Sequence, residues 1–340
     1  MSDPIGIGIY RSAGVSTISD LSSAEMLTNL LIVLPIFALI FAGWVARKAG
    51  ALGPNATREV NRLVVYLALP ALLFDIMANA KPAEIWQPGF IAAFTLGCAV
   101  IFGGTLWWRM AKGRHLADAA IDALNASYAN TGFVGFPLIL SLMGDTGMGP
   151  TLIATILTVC VLFALAIVLI EGGLQSETRR RDIALKTFLS LSKNPLLVAP
   201  VLGALVMISG LPLPAPVHAF LKLLGGAASP CALIALGLFL AGTQAGKASG
   251  RLSTAGILVG LKLIAQPVVT WVIAGPVLQL PAIATHTAVL LAALPTGTGP
   301  FMLAEFYNRE ASLTGRVVLA STVLSVVTIS MLLAVSGTGV

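Results

Sequence analysis

The chain has 340 residues, 57% hydrophobic and only 10% charged, with a mean hydropathy of +0.95. Soluble domains carry about 25% charged residues, so a water-soluble fold is excluded and a polytopic α-helical membrane protein is expected. The net charge of +6 fits basic residues kept in cytoplasmic loops rather than a nucleic-acid surface, and the long, weakly alternating apolar stretches exclude the ~10-residue strands of a membrane barrel.

Residues 1–25 hold no apolar run of signal-peptide length and are expected to form a flexible tail. Hydrophobic windows of ~19–20 residues then place ten spans, near 27–46, 57–78, 86–108, 116–143, 149–171, 194–210, 217–241, 252–278, 284–307 and 312–335. The odd loops carry the basic residues: Arg47, Lys48 and Arg58; Arg109, Lys112 and Arg114; Arg179, Arg180, Arg181, Lys186 and Lys193; Lys247 and Arg251; Arg309. Only Arg11, Lys81 and Lys222 oppose them. The positive-inside rule therefore puts the odd loops in the cytoplasm and both termini outside, for a multi-pass protein of the bacterial inner membrane.

The basic stretch 172–193 reads as a cytoplasmic linker between two five-helix repeats, 26–171 and 194–340. Pro35 with Pro195, and Pro70 with Pro230, share one offset, and Pro137 with Pro300 nearly repeats it. An odd number of spans per repeat inverts the second in the membrane. The expected fold is all-α: ten transmembrane helices in a 5+5 inverted repeat.

Spans four and nine each contain a knot of helix breakers, Asn130-Thr131-Gly132-Phe133-Val134-Gly135-Phe136-Pro137 and Pro295-Thr296-Gly297-Thr298-Gly299-Pro300. Irregular backbone survives at membrane depth only when buried in protein or lining a cavity, and paired breaks in corresponding halves point to a transporter's binding site. These spans are expected to be crossed broken helices. Asn130, Thr131, Thr296 and Thr298 would supply hydrogen-bond donors to an anion. Gly132, Gly135, Gly297 and Gly299, flanked by Pro137, Pro295 and Pro300, would allow close backbone approach. The alternative for either break alone is a proline kink tuned for helix packing.

Lys262 lies about 11 residues beyond Arg251, hence ~16 Å deep at 1.5 Å per residue. It is read as a substrate-binding counter-charge, or as one member of a structural ion pair. Asp75, Asp122 and Glu305 are the proton-coupling candidates; interfacial or helix-dipole roles are the bland alternatives. Gly256 and Gly260 suit close helix packing. Cys98, Cys160 and Cys231, like His115, His218 and His286, are scattered, so no metal site is expected, and no cofactor motif or catalytic constellation is found. Gly242 to Lys247 departs from a phosphate loop in glycine spacing and at Ala248.

The two breaks, together with Leu69-Pro70-Ala71-Leu72-Leu73-Phe74 and Asn194-Pro195, make the chain resemble a bacterial, malonate-carrier-like member of the auxin efflux carrier family, from about Met26 onward. The resemblance implies crossed broken helices, an elevator-like motion, carboxylate substrates and homodimers. The expected function is secondary transport of small organic anions, mono- or dicarboxylates such as malonate, coupled to protons or to the membrane potential. The alternatives are a sodium-coupled symporter of the bile-acid type and an intramembrane enzyme or sensor. The expected partners are the anion, membrane lipid and a coupling ion, with no nucleic acid.

Overall fold

The computed structural model describes residues 23–81, 86–174, 192–210, 212–242 and 252–336. The expected tail up to residue 22, most of the 172–193 linker and the loop at 243–251 lie outside the described residues. Every described element is helical apart from one isolated bridge. Six helices among the described residues are long and apolar enough to cross a membrane: α2 (Ala56–Ala78), α3 (Pro88–Ala111), α6 (Met148–Leu174), α8 (Ala215–Gly242), α9 (Ser253–Val277) and α12 (Ala311–Val335). Shorter apolar helices are α5 (Thr131–Met143), α7 (Pro195–Ser209) and α10 (Ala282–Ala293). The set is completed by α1 (Ser23–Lys48), α4 (Leu116–Ser127) and α11 (Gly299–Phe306).

Proline shapes three of these helices in one way. The π-helical turns Val64–Ala68, Thr131–Gly135 and Leu261–Ala265 each end two residues before a proline, at Pro70, Pro137 and Pro267. Proline has no N–H, and its ring collides with the carbonyl four residues back. Widening the preceding turn relieves that collision and lets the helix continue.

The helices pack as two groups. In one, α1 runs along α8, while α7 and α8 flank α2. In the other, α4 packs on α3 and α6, and α9 packs on α3, α10 and α12. The α1–α8 contact is close: a Cβ on Gly43 would collide with the Ile234 carbonyl, and one on Gly237 with the Ile40 carbonyl. Small residues permit this approach where lipid gives no hydrophobic drive between helices. Gly256 and Gly260 do not play that part, contrary to expectation. Among the described residues, neither has an atom beyond its own stretch of helix within 4 Å of where its Cβ would stand, because the α9 face that meets its neighbours is the one carrying Leu258, Lys262 and Gln266.

Candidate functional site

Helix α4 stops at Ser127, with Tyr128 extended (φ −83°, ψ 99°), and α10 stops at Ala293, with Leu294 extended (φ −57°, ψ 150°). The two extended stretches meet as an antiparallel bridge between Ala129 and Thr296. The Asn130 N–H donates to the Pro295 carbonyl at 2.9 Å, and the Gly297 N–H donates to the Tyr128 carbonyl at 3.1 Å. Unpaired backbone groups are costly away from water; each interruption supplies partners that the other lacks. Thr296 tightens the joint: its Oγ1 donates to the Asn125 carbonyl at 2.8 Å, and its N–H donates to the Ser321 Oγ at 3.1 Å. The glycines are needed for fit, since a Cβ on Gly297 or Gly299 would stand 2.8 or 2.7 Å from the Tyr128 ring.

Helical backbone resumes at Thr131 in α5 and at Gly299 in α11. Asn130 caps α5, its Oδ1 accepting the Phe133 N–H at 3.3 Å. With the oxygen so engaged, the Nδ2 amide is the end left to donate elsewhere. The Gly132 and Thr298 N–H groups take no acceptor among the described residues. Such N–H groups at helix starts, with the positive end of the helix dipole behind them, favour anions.

A cavity of about 330 Å³ lies over this joint. One wall comes from the first helix group: Leu69, Leu72 and Ile76 of α2, and Ser229 and Pro230 of α8. The facing wall is Tyr128, Asn130, Thr131, Gly132, Phe133, Phe136, Gly297, Thr298 and Met302. The lining residues carry no formal charge. Thr131 is fully buried and its Oγ1 has no partner among the described residues, so a donor and acceptor stands ready at the wall.

The sequence profile of the family described as Membrane transport protein matches residues 30–333. The chain belongs to this family. It is the auxin efflux carrier family whose motifs the sequence displays, and membership makes the chain a transporter rather than an enzyme. A relative from Rhizobium meliloti (strain 1021), named "Putative malonate transporter", is 28% identical over 307 residues, covering 89% of this chain and 94% of the relative. An "Uncharacterized transporter" of Methanothermobacter thermautotrophicus is 26% identical, covering 88% of this chain and 95% of its own. The "Uncharacterized transporter YfdV" of Escherichia coli (strain K12) is 27% identical, covering 87% and 93%.

Within this transporter, Asn130, Thr131, Gly132, Gly297 and Thr298 line the cavity, whereas the other candidates do not. Thr296 and Pro295 are consumed in the joint itself. Gly135 packs under Leu294, Pro137 lies within α5 just after its π-helical turn, and Gly299 and Pro300 open α11. Lys262 is fully buried, and its Nζ donates to the Ala292 carbonyl at 2.7 Å. Asp122 is buried against Arg109, whose Nε donates to its Oδ2 at 2.6 Å. Asp75 accepts from Asn79 Nδ2 at 2.8 Å and lies 3.0 Å from His218 Nδ1. Glu305 is half-buried near the end of α11.

Sequence reasoning missed Tyr128, Gln266 and Ser321. Tyr128 could have been found, as an aromatic two residues before Asn130 that packs against the glycines of the second break. Gln266 and Ser321 contact backbone across the fold, and no local pattern marks them.

Proposed function

We propose that the chain is a secondary carrier of small organic anions, mono- or dicarboxylates such as malonate, working by an elevator-like alternation. The observation that carries the reading is the joint at Ala129 and Thr296, with two helix starts beside a cavity walled by both helix groups. A cavity walled by two groups of helices changes its access when one group slides against the other.

In this reading the six long helices are joined by α1, by α7 and by two interrupted spans, α4–α5 and α10–α11, to give ten spans in an inverted 5+5 arrangement. Arg47, Lys48, Arg109 and Arg309 then mark the cytoplasmic side of the bacterial inner membrane. Asn130 Nδ2, the Thr131 and Thr298 hydroxyls and the free N–H groups would hold the carboxylate. Donors without a fixed charge suit a substrate that must also be released. The name of the Rhizobium relative supports malonate as the first substrate to try.

The test is uptake of labelled malonate, succinate and indole-3-acetate into proteoliposomes, with and without an imposed proton gradient. Saturable, gradient-stimulated uptake of one acid is expected. No uptake of any acid by folded protein would overturn the reading.

A further inference from the structure

Two carbonyls at the ends of the interrupted helices are claimed by side chains of α9. Ala292 lies in the last turn of α10, and Ser127 is the last residue of α4. The last four carbonyls of any helix lack an intrahelical donor and carry the negative end of its dipole. Lys262 Nζ donates to the Ala292 carbonyl at 2.7 Å, and Gln266 Nε2 donates to the Ser127 carbonyl at 2.9 Å. Lys262 and Gln266 are one turn apart on the same helix, both fully buried. The Lys262 amine forms no ion pair among the described residues, so the carbonyl end of α10 rather than a carboxylate faces it.

Carriers built on interrupted helices commonly place a coupling cation against half-helix C-terminal carbonyls. We infer that the Lys262 ammonium is a tethered cation in that position, holding the end of α10 in register with the joint and leaving no place for a sodium ion. The inference rests on the carrier reading for its consequence, transport indifferent to sodium. Lys262 is then a positioning residue, acting through the Ala292 carbonyl rather than touching substrate.

The test needs no substrate, so it fails or succeeds independently of the transport assay. The thermal unfolding midpoint of the purified chain is measured in sodium chloride against choline chloride at equal ionic strength. Wild type is expected to give the same midpoint in both. Lys262→Ala is expected to unfold at a lower temperature and to regain part of the loss in millimolar sodium. Stabilisation of wild type by sodium would overturn the inference, as would a folded Lys262→Ala variant with no sodium response. If Lys262→Ala does not fold, Lys262→Gln decides: it keeps a donor to Ala292 without the charge. A lower midpoint than wild type supports the inference, and an unchanged one overturns it.

Discussion

Asn61 on α2 donates through its Nδ2 to the Met302 carbonyl of α11 at 3.2 Å, joining the two helix groups at the edge of the cavity. One turn further along each helix, the Tyr66 and Phe306 rings meet edge-on at 5.7 Å. Both contacts join α2 to α11, and Met302 lines the cavity, so they tie its facing walls together.

Loss of the Asn61 bond should therefore loosen the tie between the two walls. A hydrogen bond of this kind contributes about 1 kcal/mol, a roughly fivefold change in the balance of two conformers. The measurement is labelling of a cysteine at Ser229, in a background lacking Cys98, Cys160 and Cys231, by an impermeant maleimide applied from the basic-loop side. Asn61→Ala should label several-fold faster than its parent; equal rates would mean the bond does not hold the walls together.

Asn130 is expected to separate capping from binding. Asn130→Ala loses the cap on Phe133, costing about 1 kcal/mol, and loses the amide donor. Asn130→Asp keeps an acceptor for the Phe133 N–H but presents a negative charge to the cavity. Both should cut anion uptake at least tenfold, whereas only the alanine variant should lower the unfolding midpoint. An aspartate variant with normal uptake would remove Asn130 from the binding surface.

Asp122 should behave as half of an ion pair. Asp122→Asn leaves the buried Arg109 guanidinium without its counter-charge, a loss of about 3–5 kcal/mol, visible in thermal unfolding. The double variant Arg109→Leu, Asp122→Leu should recover most of that stability and should keep gradient-stimulated uptake. A stable double variant that transports but ignores the proton gradient would instead make Asp122 the proton carrier.

Gly237→Leu forces side-chain atoms into the Ile40 backbone, where neither helix can yield by changing a rotamer. Overpacking costs typically 1–3 kcal/mol, and more is expected here because the obstacle is main chain. Gly256→Ala, in open space on α9, should be neutral or raise stability by about 0.4–1 kcal/mol. Equal midpoints for the two variants would contradict the close α1–α8 contact.

Much of this arrangement could be read from the chain because bilayer thickness and backbone chemistry leave local marks. Long apolar windows located the helices within a few residues, as at Pro88–Ala111 and Pro195–Ser209. Glycine and proline marked where α4 and α10 stop. What the sequence did not reveal was pairing over distance: the register of Ala129 with Thr296, and the carbonyls that receive Lys262 and Gln266. A backbone acceptor has no identity in a sequence, so a buried lysine bound to one looks the same as a lysine waiting for a substrate. The Arg109–Asp122 pair was nearer to view, since a helical hairpin brings together residues on either side of its turn.

The π-helical turns before Pro70, Pro137 and Pro267 have an effect beyond avoiding a collision. Each accommodates one residue more than an α-helical turn would, and one residue is about 100° of helical rotation. The helix therefore changes phase at that point, and its apolar stripe need not face the same way on both sides. In α9 this lets the segment before Lys262 and the segment after Pro267 address different neighbours while Lys262 and Gln266 both turn inward. Removing a single residue from Leu261–Ala265 would rewind the turn and swing everything beyond it toward lipid, a far larger disturbance than any one substitution in that segment.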